Sequence, residues 1–257
     1  MPSADPFSLA GKVALVSGAG KGLARAVALG CGKAGARVAV CARTLSDVEA
    51  TAKAIRDAEA EAFAVRCDMT RSADCATAVA ATIARFGRLD VAVISAATES
   101  MGSAEAMTDA MWDACIATEL TGYFRMAVAA ARPMLAQRQG AVVMFSANSS
   151  VVGYRNLAAT AAAKGGVDQI VRNCAVEWGE RNVRINSVNC GYTEHLPPEG
   201  DVNPGEGDLE EEIRRTTPLQ RRGRIEEFVN ATIFLASDAA SFITGHNLMV
   251  DGGYTIK

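Results

Sequence analysis

Long apolar runs, closely spaced cysteine pairs and any surplus of positive charge are all missing from this chain of 257 residues. Each absence removes a class of protein. No stretch reaches the roughly 18 uninterrupted apolar residues that would suggest a membrane-crossing helix. The opening MPSADPFSLAGK has neither the charged start nor the apolar core of an export signal. Lys and Arg number 26 against 29 Asp and Glu, a formal charge of −3, so the positive field that a phosphate backbone requires is lacking. The seven cysteines are scattered, odd in number and never spaced C-x-x-C, which reads as small buried thiols rather than a disulfide frame or a metal site. The expectation is a soluble, cytoplasmic protein without nucleic-acid, membrane or metal partners.

What is present is a large core. With 49% hydrophobic and 21% charged residues the chain is ordinary for a globular protein, which argues against disorder and against a coiled coil. Short apolar runs at 12–17, 37–41, 62–67, 89–95, 141–146, 184–189 and 247–250 read as buried strands, and each of the six intervals between them has room for a helix. In one interval, residues 45–58, Val48, Ala52 and Ile55 fall on one side and Asp47, Glu49, Lys53 and Arg56 elsewhere. Strand and helix alternating in this way predict a single α/β domain over 1–257, a doubly wound Rossmann fold with a seven-stranded parallel sheet and ligands at the carboxyl ends of the strands. One compositional break, 196–218, holds four prolines, three glycines and a run of acids. It is expected to be a flexible substrate loop, either a lid over the crevice or a solvated acidic loop.

The first strand runs into Ser17-Gly18-Ala19-Gly20-Lys21-Gly22-Leu23-Ala24 and then a helix. Glycines there let the backbone approach a pyrophosphate, whose charge suits the N–H groups at a helix start, although a plain tight turn would also use them. This turn resembles the T-G-x-x-x-G-x-G signature of the short-chain dehydrogenase/reductase family. The resemblance continues through Asp68 and Met69 in CDMT, Asp90, Thr121-Gly122, Asn186 and the terminal FLASDAASFITGHNLMVDGG. It implies a nicotinamide dinucleotide held by Ser17, Gly18, Lys21, Gly22 and Leu23, with Asp68 and Met69 at the adenine, and Ser95, Ala96, Tyr192 and Thr193 further along. Asp68 could instead cap a helix. The family's NAD-binding acid at the end of the second strand falls on Ala42, and Arg43 follows. An absent carboxylate beside a guanidinium, with Lys21 on the same side, points to the 2′-phosphate of NADP(H).

The same resemblance implies an Asn, Ser, Tyr and Lys tetrad, and here three of the four differ. Lys164 matches the Lys, which in the family holds the nicotinamide ribose. Thr160 stands at the Tyr position, Ala147 at the Ser position and Glu119 at the Asn position. A threonine hydroxyl is a poor acid near neutral pH, and losing general acid catalysis costs roughly 10²–10⁴ in rate. The catalytic candidates are therefore Lys164, Thr160, Ser149 and Tyr154, with His195 as a group able to act near pH 7. Each of the last three also reads plainly as a turn former, a loop aromatic or an exposed loop residue. The 2,4-dienoyl-CoA reductase branch likewise lacks that Tyr and has a stretch similar to residues 175–184. The expected function is an NADP(H)-dependent oxidoreductase with an atypical site, acting on a small-molecule carbonyl, imine or conjugated alkene. The alternative is a redox-silent relative that serves as a lyase or as a cofactor-sensing or partner-binding module. The family also implies a homodimer or homotetramer, for which the Ala-rich faces of 126–134 and 158–163 would permit close helix approach.

Overall fold

The computed structural model describes residues 5–98, 101–194 and 206–256. Its strands are β1 (Val13–Ser17), β2 (Arg37–Ala42), β3 (Ala62–Arg66), β4 (Val91–Ile94), β5 (Gly140–Ala147), β6 (Val183–Cys190) and β7 (Asn247–Val250). Every one lies within two residues of its apolar run. All pair in parallel, in the order β3-β2-β1-β4-β5-β6-β7. The order reverses between β1 and β4, and that reversal opens the crevice of a doubly wound sheet.

Among the described residues there are eight α-helices, α1 (Gly22–Lys33), α2 (Leu45–Asp57), α3 (Ser72–Phe86), α4 (Asp109–Cys115), α5 (Tyr123–Gln137), α6 (Ala158–Trp178), α7 (Glu206–Thr216) and α8 (Ile225–Ala236), of which α1, α2, α3, α5, α6 and α8 pack on the sheet. Alternation along β1 divides the core, as side chains of successive strand residues point to opposite faces. Val13 and Leu15 pack with α3, α5 and α6, whereas Ala14 and Val16 pack with α1, α2 and α8. The stripe expected on α2 is buried as Val48, Thr51, Ala52 and Ile55. All seven cysteines are free, and only Cys190 is not fully buried. Among the described residues no helix is long and apolar enough to cross a membrane.

Two expectations change. Part of the supposed loop 196–218 is helix α7, whose Glu and Arg spacing of four residues suits a helix, and which is anchored by the fully buried Ile213 and by Glu210, whose Oε1 accepts the Arg222 Nε–H at 2.5 Å. Residues 196–205 of that loop lie outside the described residues. The Ala-rich face of α5 is not open to a partner, because Met126, Ala127, Ala130, Ala131 and Met134 are buried in the chain's own core. What α4 and α5 show outside is Trp112 and Phe124, each roughly half exposed.

Candidate active site

Gly18, at the carboxyl end of β1, has φ +69°, and a Cβ there would stand 1.8 Å from the Ser95 carbonyl oxygen. No side chain fits. The backbone of the glycine turn therefore lies directly against the loop that follows β4, and the Ser17 hydroxyl reinforces the contact by accepting the Ser95 N–H at 3.2 Å. α1 begins at Gly22 with no side-chain cap. Its first N–H groups are free to meet an anion. Above this turn lies a crevice of about 420 Å³ lined by Gly18, Lys21, Gly22, Leu23, Arg43, Asp68, Met69, Ser95 and Ala96, nine of the twelve expected cofactor positions other than Lys164. Among the other three, Ser17 is buried at the end of β1, and Tyr192 and Thr193 follow the end of β6 and do not line this crevice.

Charge around this crevice is uneven. Neither Lys21 nor Arg43 makes an ion pair among the described residues. Asp68 turns one oxygen inward: its Oδ1 accepts the Thr70 N–H at 2.9 Å and the Thr70 hydroxyl at 2.7 Å, closing a local turn. It does not cap α3, whose N-cap is Arg71. Burial alone would raise the Asp68 carboxyl, but the Thr70 hydrogen bonds and the nearby Arg43 and Arg66 bring it below the ordinary carboxylate value. Asp47, in the first turn of α2, also lines the crevice.

At the reaction side the helix between α4 and α5 widens into a π-helical segment, Ile116–Gly122. Such bulges gather at functional sites. Gly122 lets the segment lie against Met69, since a Cβ would come 3.2 Å from the Met69 Cβ. From this segment and the start of α5, Glu119 and Tyr123 point inward to Lys164 on α6. Glu119 Oε2 lies 3.1 Å from the Lys164 ammonium, which also donates to Tyr123 Oη at 3.1 Å and to the Phe145 carbonyl at 3.2 Å. Burial alone would lower the Lys164 ammonium, but the Tyr123 and Glu119 oxygens outweigh it and hold it above the ordinary lysine range. Thr160 stands one turn earlier on α6, half-buried.

The end of β5 carries Asn148, Ser149 and Ser150 in a short 3₁₀ turn. Ser149 is buried, and its Oγ has no hydrogen-bond partner. Tyr154 accepts the Asn148 Nδ2–H at 2.7 Å, stacks on Tyr254 at 5.3 Å between ring centres and meets Tyr192 edge-on at 6.1 Å. Burial, with Tyr254 beside it, pushes the Tyr154 phenol well above the ordinary tyrosine value, and burial takes Tyr192 up to about 12. Tyr192 also lines a second cavity of about 460 Å³ with Leu219, Phe228 and Met249. His195 lies outside the described residues.

A profile of the enoyl-(acyl carrier protein) reductase family matches residues 18–255. The D-threitol dehydrogenase of Mycolicibacterium smegmatis is 34% identical over 98% of this chain and 95% of its own length. A short-chain type dehydrogenase/reductase from Mycobacterium marinum superposes with TM-score 0.91 at 31% identity, covering 98% of this chain and 99% of that one. The chain belongs to the short-chain dehydrogenase/reductase family. A gluconate 5-dehydrogenase from Burkholderia cenocepacia, solved in complex with NADP and tartrate, is similar over 98% of both chains, with TM-score 0.92 and 29% identity.

Within this short-chain dehydrogenase/reductase, sequence reasoning reached the crevice but missed three side chains that shape the site. Tyr123 could have been found, because it follows Glu119 by four residues and so shares its face of the helix. Asp47 had a weaker signal, an acid in the first turn of the helix after β2. Tyr254 had none, since only folding brings the last residues beside Tyr154.

Proposed function

We propose that the protein is an NADP(H)-dependent oxidoreductase acting on a small or medium organic substrate, a carbonyl, imine or conjugated alkene, without the phenol and serine usual in its family. The observation that carries this reading is the pair Lys21 and Arg43, two unpaired cations on a crevice where Ala42 replaces an acid. A guanidinium offers a planar fork of donors to phosphate oxygens, and nothing at position 42 repels them. The fit extends to the backbone, because the glycine turn and uncapped start of α1 suit a pyrophosphate. The relative solved with NADP supports the same preference.

A bound nicotinamide supplies or accepts a hydride. This chain's own residues do the rest: Gly18 and Gly22 admit the diphosphate, Arg43 and Lys21 select the extra phosphate, and Asp68 keeps one oxygen free toward the adenine. Tyr192 and Thr193 are assigned to the nicotinamide end. The unsatisfied Ser149 hydroxyl is the group assigned to hydrogen-bond a substrate oxygen. Tyr154, whose phenol stays protonated at ordinary pH, can donate a hydrogen bond but cannot serve as a base. Thr160 remains a candidate contact beside them. A substrate whose charge is delocalised away from the hydride-accepting carbon needs the least proton transfer, which favours a conjugated alkene and accords with the likeness of residues 175–184 to the 2,4-dienoyl-CoA reductases.

Calorimetry with NADPH and NADH, followed by NADPH consumption across a panel of the three substrate classes, tests this. Tighter binding of NADPH and turnover of one class are expected. Failure of both dinucleotides to bind would overturn it. A second reading, a redox-silent protein, is favoured by the enclosure of Lys164. If NADPH binds but no panel member reacts, and Ala147→Ser with Thr160→Tyr creates reductase activity, that second reading is correct.

A further inference from the structure

Lys164 is the one buried basic residue among the described residues. An ammonium has three N–H donors. Glu119, Tyr123 and the Phe145 carbonyl accept all three, at 3.1, 3.1 and 3.2 Å. Two of those acceptors are at the same time tied to the loop after β4. Tyr123 Oη accepts the Ala96 N–H and donates to the Ala96 carbonyl, both at 3.0 Å. Glu119 Oε1 accepts the Thr98 N–H at 3.0 Å and the Thr98 hydroxyl at 3.3 Å. A continuous chain of hydrogen bonds thus runs from β5 through one ammonium to the backbone of the loop, and Ala96 of that loop lines the crevice.

A ligand hydroxyl could reach Lys164 only by displacing one of these acceptors. The displaced group would then be buried and unpaired, which is costly for a phenol or a carbonyl and more so for a carboxylate. The carboxylate also decides the charge of the cluster: paired with Glu119, the ammonium is neutralised within the fold. We propose that Glu119 and Tyr123 are positioning residues that hold Lys164 as a structural cation, so that this ammonium shapes the crevice by fixing Ala96 and Thr98 and does not itself bind the cofactor. The inference rests on the cofactor reading above for the crevice's occupant, but the arrangement of the cluster stands apart from it.

Removing one member of a buried ion pair strands the other, whereas removing both together does not. The test is therefore Lys164→Met, Glu119→Gln and the two combined. Three measurements follow: thermal midpoint, amide exchange at Ala96 and Thr98, and NADPH affinity by calorimetry. Each single change should lower the midpoint by roughly 6–20 °C. Each should also speed exchange in the loop and weaken NADPH about tenfold or more. The combined variant should recover more than half of the midpoint and bind NADPH within about threefold of the parent, since the introduced amide still accepts the Thr98 N–H and methionine fills the lysine's place. A combined variant that binds NADPH as weakly as Lys164→Met would overturn the proposal, because the ammonium would then be touching the cofactor. So would single variants with unchanged loop exchange. If the single variants do not fold, the combined variant against the parent decides by the same threefold and tenfold limits. If the parent binds no dinucleotide, the cofactor reading fails alone, and midpoint and exchange still decide whether the cluster holds the loop.

Discussion

The two ends of the crevice are built on different principles. At the end proposed for the adenosine, the crevice is shaped mainly by backbone, a glycine with no room for a Cβ, the uncapped start of α1 and a local turn at Asp68, with Lys21 and Arg43 on its rim. At the reaction end the contacts are made by side chains, with Glu119 and Tyr123 meeting Lys164 at 3.1 Å each. A backbone site constrains conformation and tolerates little, whereas a side-chain site can be rewritten one residue at a time. Here the first is fixed by the fit of Gly18 against Ser95 and the second by a closed ion pair.

The contrast can be broken most severely at Gly18. Gly18→Ala puts a methyl group against the Ser95 carbonyl in a left-handed conformation, at a cost of about 3–6 kcal/mol. Loss of dinucleotide binding together with a large fall in thermal midpoint is expected, and a variant with parental affinity would show that the close approach is unimportant. Next in size is Glu119→Gln, which strands a buried ammonium and should cost about 3–5 kcal/mol of stability. Chemical denaturation measures it, and a loss below about 1 kcal/mol would mean that the pair is solvated.

Arg43→Ala sharpens the comparison at the other end. Losing a charge-assisted contact worth about 1.5–3 kcal/mol should weaken NADPH roughly 10- to 150-fold while leaving NADH unchanged. Titration of both dinucleotides checks it, and an equal effect on the two would assign Arg43 to something other than the 2′-phosphate. The smallest effect concerns pH. The Lys164 ammonium is raised above its ordinary value of 10.5, so its contribution is complete below that value and fades only as pH climbs through the folded-state value. The stability gap between the parent and Lys164→Met should therefore stay constant from about pH 6 to 9, as denaturation at several pH values would show. A gap that closes within that range would place the titration on another group.

The sheet was legible in the sequence because buried parallel strands are continuous apolar runs, and KVALVS, RVAVC and AVVMFS announce themselves without any partner. The glycine turn was legible for a related reason, its chemistry being local. Helix α7 was hidden because prolines and glycines at 197–207 dominated the reading of a segment whose Glu and Arg spacing is helical further on. The face of α5 was misjudged because small residues suit close helix packing and sheet packing alike, and composition does not say which neighbour arrives. Lys164 and Glu119 were visible and Tyr123 was not singled out, and the meeting of the three depends on the π-helical segment Ile116–Gly122 and its packing on α6, a contact that no local pattern encodes.

The closed pair beneath the crevice and the open cations on its rim should also answer differently to ionic strength. Mobile ions screen exposed charges within a Debye length of about 8 Å at physiological salt, and they reach buried pairs far less. Added salt should therefore blunt the discrimination proposed for Lys21 and Arg43 and leave the Glu119 and Lys164 floor intact, so that a simple electrolyte separates the proposed grip on an extra phosphate from the architecture beneath it.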